Sequence, residues 1–216
     1  MLKGIIFDVD GTLLNSMHIW NELGNRYLQT IGLEPEEGLA SVLFPMSVEE
    51  SSIYLKNRYK LSDPVDKIVK DTIALIDDFY HYEAVPKNGL LPYLDWVRSR
   101  EIPMIIATSG DREVLNKALA RLEIADFFSG ILTCSELGTN KREAKIYLKA
   151  AEHMGTPPKG TAVFEDVLHG LQAAKSEGFI TIGIEDSFSE QDRDQIIKTA
   201  DYYIRDFTDP ILKTIS

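Results

Sequence analysis

Short apolar runs alternate with longer helical patterns along most of the chain, and this alternation limits the folds open to it. The apolar runs are continuous, as in strands that are covered on both faces of a sheet. They are GIIF (4–7), MIIAT (104–108), GILTC (130–134), TAVFE (161–165), TIGI (181–184) and YYI (202–204). The helical stretches are LLPYLDWVRSR, REVLNKALARLEI, REAKIYLKAAEHMG, LHGLQAAKSEG and EQDRDQIIKTA. The alternation predicts an α/β fold with a doubly wound parallel sheet.

One segment after the first predicted strand breaks this rhythm. Up to Val85 we predict no further strand, and the patterns are helical: SMHIWNELGNRYLQTIG, VEESSIYLKNRYK and PVDKIVKDTIALIDDFYHY. An insert of about 70 residues is too long for a loop in a compact domain. We therefore predict a core domain of residues 1–15 and 87–216, and a small helical domain of residues 16–86 inserted into it as a mobile lid.

Composition and charge narrow the possible function classes. Hydrophobic residues make up 44% of the 216 residues, which is enough for a sizeable core. The formal net charge of −11 argues against nucleic acid as a partner and against a polybasic membrane anchor, because both need a basic face. The single cysteine, Cys134, has no partner for an internal disulfide, and the first apolar run stops at Asp8, too early for a signal peptide. We expect a cytoplasmic protein.

Polar groups follow four of the predicted strands. Because ligands bind at the carboxyl ends of the strands in an open parallel sheet, we expect these groups to share one crevice. They are Asp8 and Asp10, then Thr108, Ser109 and Gly110, then Lys141, and finally Glu165 and Asp166. Mg²⁺ takes oxygen ligands and commonly only one or two protein carboxylates, while hydroxyls and a lysine can bind phosphoryl oxygens. The pattern predicts a site for a phosphate group and Mg²⁺.

The same residues resemble the four motifs of the haloacid dehalogenase (HAD) superfamily. DVDGTL (8–13), IIATS (105–109), Lys141 and VFEDVLHG (163–170) stand in the order of those motifs. VFEDVLHGLQAAKSEGF is especially similar to the branch that contains phosphatases and β-phosphoglucomutase-like proteins. This resemblance implies a Rossmann-like HAD core that carries the catalytic groups, with a small all-helical cap domain inserted after the first strand.

The resemblance also implies a role for each acidic residue. Asp8 would be the nucleophile that takes the phosphoryl group as an aspartyl phosphate. Asp10 would be the general acid and then the general base, and its presence separates phosphoryl transfer from the dehalogenase branch, which lacks an acid there. Mg²⁺ would be held by Asp8, the backbone carbonyl of Asp10 and Asp166, with Glu165 as a supporting ligand.

The remaining groups would bind the phosphate. Thr108 would hydrogen-bond the phosphoryl group, the amides of Ser109 and Gly110 would lie close by, and Lys141 would neutralise the nucleophile and the charge of the transition state. The resemblance thus implies a Mg²⁺-dependent phosphoric monoester hydrolase acting on a small phosphorylated metabolite. We expect a monomer, with no nucleic acid or membrane as partner.

Several of these residues also have purely structural interpretations. Glu165 and Asp166 could form the N-cap of the following helix, and Ser109 or Asp111 could cap the helix after the second motif. Lys141 lies in KREAK, where the family usually continues KPxPD, so a solvated loop is an alternative there. We expect the tryptophans, Trp20 and Trp96, to lie in the core.

Other functions remain open at this point. The sugar-phosphate mutases of this branch carry a histidine where Trp20 stands and a basic residue where Val48 aligns, and they need that cation to grip a second phosphate. The chain therefore favours hydrolysis, with a mutase of β-phosphoglucomutase type as the alternative. A non-catalytic HAD-fold binding protein is a remote alternative. A response-regulator receiver fits poorly, because it has no helical insert after its first strand.

Overall fold

The computed structural model describes residues 2–215, and the contacts along the chain group into two compact units. One unit is Met1–Asn15 with Val85–Ser216, and the other is Ser16–Ala84. Within residues 2–215, no helix combines the length and apolar character that crossing a membrane requires. The predicted roles of a catalytic core and a cap stay predictions.

The first unit contains a six-stranded parallel sheet in the order β5-β4-β1-β6-β7-β8. Its strands are β1 (Gly4–Phe7), β4 (Met104–Thr108), β5 (Ile131–Thr133), β6 (Thr161–Glu165), β7 (Ile180–Ile184) and β8 (Tyr202–Ile204). All six predicted strands exist, and four have the predicted bounds. Strand β1 lies in the middle, with Phe7 paired to Ile106 of β4 and Phe164 of β6. The doubly wound parallel α/β fold is confirmed.

Helices connect these strands, as the alternation predicts. They are α5 (Leu90–Arg98), α6 (Arg112–Arg121), α7 (Cys134–Leu137), α8 (Lys145–Met154), α9 (Leu168–Ser176), α10 (Arg193–Thr199) and α11 (Leu212–Ile215). Short 3₁₀ turns at Ala125–Phe127 and Ser187–Asp192 complete the connections. Asp111 is the N-cap of helix α6, and its carboxylate accepts hydrogen bonds from the amides of Glu113 and Val114. The predicted capping role of Asp111 is thereby confirmed, while that of Ser109 is wrong.

Alternate residues of the central strands fill the two faces of the sheet. On one face Phe7 stacks on Phe164, with ring centroids 4.8 Å apart. On the other face Ile6 and Val163 belong to a buried cluster that includes Tyr147 of α8. Because both faces of β1 and β6 are covered, the positions of the residues that follow these strands are fixed by packing.

A two-stranded ribbon in this unit differs from the prediction. Strand β2 (Leu14–Asn15) pairs antiparallel with β3 (Val85–Pro86), with Leu14 opposite Pro86. The prediction of no strand between β1 and Val85 is therefore wrong at Leu14–Asn15. Two residues are too few to show a period of two, so the sequence pattern could not reveal this strand.

The second unit is entirely helical, as predicted. Its helices are α1 (His18–Thr30), α2 (Leu39–Leu43), α3 (Val48–Tyr59) and α4 (Val65–Asp78), and a π-helical turn at Phe79–Glu83 follows α4. Ser47 and Glu50 form a capping box at the start of α3. Gly24 of α1 approaches Leu43 of α2 so closely that a Cβ atom on Gly24 would lie 2.2 Å from a Leu43 methyl group. The short helix α2 is absent from the sequence prediction.

Trp20 does not lie in the core. Its side chain is 41% exposed, so the expectation for this tryptophan is wrong. Helix α1 buries a stripe that runs through Ile19, Leu23 and Tyr27. Trp20 stands one residue beside that stripe in the first turn, where the neighbouring helices of this unit do not cover it. The aromatic content of the segment could not show which side of the helix is covered.

Candidate active site

Asp8 lies directly after the central strand and is almost completely buried. Its backbone amide donates to the carbonyl of Phe164 at 3.1 Å, which continues the pairing of β1 with β6. The chain then turns at Gly11, whose φ of 79° is in the left-handed region that favours glycine. The amide of Leu14 closes the turn by donating to the carbonyl of Val9 at 2.9 Å. The strand and the turn together fix the position of the Asp8 carboxylate.

The ammonium group of Lys141 lies between two buried carboxylates. Its Nζ is 2.9 Å from Oδ1 of Asp8 and 2.7 Å from Oε2 of Glu165, and it also donates to the carbonyl of Ala107 at 2.8 Å. Burial alone would lower the pKa of Lys141, but the charges of Asp8 and Glu165 outweigh burial and raise it. Lys141 is 5% exposed, so the alternative of a solvated loop is wrong for its side chain.

Glu165 is held by two donors. Besides Lys141, the hydroxyl of Tyr147 donates to its Oε2 at 3.1 Å. Burial raises the pKa of Glu165 to about 7, while the Lys141 charge acts in the opposite direction. Tyr147 is absent from the sequence prediction, because its place on the buried face of α8 makes it look like a core residue. Its only signal is that a buried tyrosine hydroxyl usually needs a polar partner.

Asp166 completes a group of three buried carboxylates. The hydroxyl of Thr12 donates to Oδ1 of Asp166 at 3.3 Å. Burial raises the pKa of Asp166, and the nearby charges of Glu165 and Asp8 raise it further. The capping alternative is wrong, because the N-cap of α9 is Val167 and no side chain hydrogen-bonds there.

The donor set of this group suits a hard divalent cation. Asp8, Glu165 and Asp166 each offer one carboxylate oxygen, and these oxygens lie within 4.8 Å of one another. Three buried carboxylates beside one shared ammonium leave excess negative charge, which a cation would neutralise. All three carboxylates could hold a cation, and Glu165 in addition accepts from both Lys141 and Tyr147.

The loop after β4 brings further polar groups to this edge of the sheet. Thr108 is buried, and its Oγ1 accepts a hydrogen bond from the amide of Gly110 at 3.0 Å. A Cβ atom on Gly110 would lie 3.3 Å from Oδ2 of Asp10, so the half-buried Asp10 side chain stands beside this loop. Ser109 is exposed, and its hydroxyl faces Sγ of Cys134 at 3.5 Å.

One protein-family model matches most of the chain. The model described as haloacid dehalogenase-like hydrolase matches residues 5–184. That range contains all eight candidate site residues.

Curated relatives are distant but match over most of their length. A phosphorylated carbohydrates phosphatase from Thermotoga maritima is 24% identical over 177 residues, which is 82% of each chain. Fructose-1-phosphate phosphatase YqaB from Escherichia coli is 24% identical and covers 84% of this chain and 95% of its own. Glyceraldehyde 3-phosphate phosphatase from Methanopyrus kandleri is 27% identical, with coverages of 85% and 84%.

Solved structures share the fold. A candidate β-phosphoglucomutase from Thermotoga maritima has a TM-score of 0.87 at 22% identity and covers 99% of this chain and 98% of its own. CbbY from Rhodobacter sphaeroides, solved with phosphate, has a TM-score of 0.72 at 20% identity, with coverages of 97% and 96%. At this level of identity the likeness shows the fold alone.

Replacing Lys141 with methionine tests the buried ion pairs. The change leaves Asp8 and Glu165 buried without their common counter-charge, so we expect the free energy of unfolding to fall by about 3–5 kcal/mol. Urea unfolding of the metal-free protein measures this loss. Lys149→Met is the control, because Lys149 forms an exposed ion pair with Glu152. This substitution should lower the free energy of unfolding by about 0.5 kcal/mol. Equal losses in the two variants would contradict the buried pairing.

Proposed function

Because the chain belongs to the haloacid dehalogenase-like hydrolases, we propose that it is a Mg²⁺-dependent phosphatase that hydrolyses small phosphomonoesters through an aspartyl phosphate on Asp8. The match over residues 5–184 confirms the predicted superfamily, and the relatives named as phosphatases support a phosphoric monoester hydrolase. The observation that carries the proposal is the 2.9 Å pairing of Lys141 with Asp8, inside a group of three buried carboxylates. This pairing places a fixed positive charge beside the carboxylate that is proposed to attack phosphorus.

In the first step Asp8 acts as the nucleophile. One of its carboxylate oxygens forms a bond to phosphorus, and the bond between phosphorus and the ester oxygen breaks. Asp10 gives its proton to that leaving oxygen, so the alcohol departs neutral. Lys141 stays positive throughout and offsets negative charge beside Asp8.

In the second step Asp10 acts as the base. It takes a proton from water, whose oxygen attacks phosphorus while the bond to the Asp8 oxygen breaks. Inorganic phosphate leaves, and both aspartates return to their starting protonation states. The half-buried position of Asp10 supports this assignment, since the residue must exchange protons with the alcohol and with water.

Side chains and amides of the β4 loop are proposed to bind the phosphoryl oxygens. Thr108 accepts from the amide of Gly110 and can still donate its own hydroxyl hydrogen. The backbone amides of Ser109 and Gly110 are proposed to lie close to the same oxygens. Lys141 binds the phosphoryl group from the Asp8 side.

A bound Mg²⁺ would be held by Asp8, Asp166 and the backbone carbonyl of Asp10. It would supply positive charge that offsets the phosphoryl oxygens and orients the substrate. Glu165, which is paired with Lys141, would be a supporting ligand rather than a principal one. The buried oxygen donors of Asp8, Glu165 and Asp166 support this assignment.

The finer assignments follow from the same proposal. Residues 1–15 and 87–216 would be the catalytic core, and residues 16–86 a cap that selects the substrate. Relatives named for phosphorylated carbohydrates and fructose 1-phosphate support a small phosphorylated substrate here. A monomer in the cytoplasm is the proposed state, and the lone Cys134 fits a reducing compartment.

Asp8→Asn tests the nucleophile. The amide keeps the shape of the carboxylate but is a poor nucleophile, so we expect phosphate release to fall by at least about a thousandfold. A malachite green assay with 4-nitrophenyl phosphate and a panel of sugar phosphates measures it, and circular dichroism checks the fold. Asp126→Asn, at an exposed aspartate, should leave the rate unchanged. A rate within tenfold of the parent would remove Asp8 from this role.

Metal removal tests the cation site. Activity should vanish with EDTA and return with Mg²⁺, and Mg²⁺ should raise the melting temperature of the parent protein because it binds only the folded state. Asp166→Ala should abolish that rise, since it removes a carboxylate from the ion. Asp126→Ala is the matched control and should keep it. If activity persists in chelator and Mg²⁺ leaves the melting temperature unchanged, the metal assignment is wrong.

Mutase activity is the second candidate, supported by the candidate β-phosphoglucomutase of the same fold. Trp20 and Val48 offer no cation at the two positions where the mutases place histidine and a basic residue. We therefore expect phosphate release from β-glucose 1-phosphate and no useful isomerisation to glucose 6-phosphate. Incubation with Mg²⁺ and a trace of the 1,6-bisphosphate, followed by measurement of both products, decides between them. Isomerisation a hundredfold faster than phosphate release would favour the mutase.

A further inference from the structure

Lys87 forms a second buried ion pair in the core unit, outside all the motifs. Its Nζ is 2.8 Å from Oδ2 of Asp186 and donates to the carbonyl of Glu185, also at 2.8 Å. The side chains of Lys87 and Asp186 are 8% and 7% exposed. Two opposite charges this deeply buried cost desolvation energy, so their pairing calls for an explanation.

The Asp186 carboxylate lies at the same edge of the sheet as the proposed cation ligands. Strand β7 pairs with β6 so that Gly183 stands opposite Glu165. Asp186 follows two residues after the end of β7, and its Oδ1 accepts a hydrogen bond from the amide of Phe188 at 3.0 Å. The turn that begins at Asp186 reaches Asp166, because the amide of Ser189 donates to the carbonyl of Asp186 at 3.1 Å and the Ser189 hydroxyl donates to Oδ2 of Asp166 at 3.5 Å.

Backbone contacts fix the position of the main chain around Lys87. The amide of Lys87 donates to the carbonyl of Leu13 at 2.8 Å, directly after the β2–β3 ribbon. Two residues later, a Cβ atom on Gly89 would lie 2.8 Å from the backbone of Phe207. With its main chain fixed at both points, Lys87 reaches Asp186 from a defined position.

Buried charge at this edge is therefore divided between two lysines. Lys141 neutralises Asp8 and Glu165, and Lys87 neutralises Asp186. An unpaired Asp186 would add a further carboxylate to the surroundings of the cation. Ca²⁺ takes six to eight oxygen ligands in flexible geometry, whereas Mg²⁺ needs near-octahedral geometry and commonly one or two protein carboxylates.

We propose that Lys87 is a positioning residue for the cation site: by pairing with Asp186 it withholds that carboxylate and so favours Mg²⁺ over Ca²⁺. This inference rests on the Mg²⁺ site of the proposed function. Lys87 does not touch the cation or the substrate, and it acts only through Asp186.

Metal binding without substrate tests the proposal. Isothermal titration calorimetry measures the Mg²⁺ and Ca²⁺ dissociation constants of the parent, Lys87→Met, Asp186→Asn and the double variant. Lys87→Met should shift the ratio of affinities at least tenfold towards Ca²⁺. Asp186→Asn leaves the Lys87 ammonium unpaired and should weaken both ions at least threefold. The double variant removes both charges and should return the ratio to within threefold of the parent.

Lys175→Met is the control, because Lys175 pairs with Asp201 beside the first residues of β7, at the opposite end of that strand from Asp186. It should leave both dissociation constants unchanged. A Lys87→Met ratio within twofold of the parent would overturn the proposal and make the pair merely structural. If Lys87→Met does not fold, unchanged affinities in Asp186→Asn would overturn it equally. A parent that binds no Mg²⁺ would instead overturn the proposed function on which this inference rests.

Discussion

The contact between the Lys141 ammonium and the Asp8 carboxylate is the interaction on which the candidate site depends. It lies at the end of the central strand, where Phe7 and Phe164 stack on one face of the sheet and both Asp8 and Lys141 are buried. A buried carboxylate without a counter-charge is energetically costly. The fold therefore has to bring Lys141 from a distant loop to the same edge, and the parallel order of the strands achieves this.

Strands covered on both faces were predictable from the sequence, whereas the two-residue strand β2 and the five-residue helix α2 were not. GIIF, MIIAT and TAVFE coincide with β1, β4 and β6, since a continuous apolar run followed by polar residues has few alternative structures. Helix α2 has only five residues, and its place follows from packing of Leu43 against Gly24. Such tertiary contacts leave no periodic signal in a short segment.

The residues of the candidate site also divide into those that the sequence predicts and those that it does not. Asp8, Asp10, Glu165 and Asp166 could be named in advance, because strand order alone brings the residues after β1 and β6 together. Tyr147 and the pair of Lys87 with Asp186 could not, since each acts through a contact between segments far apart in the chain. Their residue types also fit ordinary core or surface positions. Motif residues show where the chemistry is placed, and the packed partners around them determine its electrostatics.

The different surroundings of the two aspartates fit the different tasks proposed for them. Asp8 is 6% exposed and its Oδ1 lies 2.9 Å from Nζ of Lys141, which fixes the position of the oxygens of the proposed nucleophile. Asp10 is half-buried and lies beside Gly110 in the β4 loop, where an alcohol or water could reach it. An acid that later serves as a base must change protonation twice in each turnover, and a half-buried position allows exchange with the alcohol and with water. An extended chain would place Asp8 and Asp10, two residues apart, on the same side, so their different surroundings arise because the chain leaves strand β1 after Phe7 and turns at Gly11.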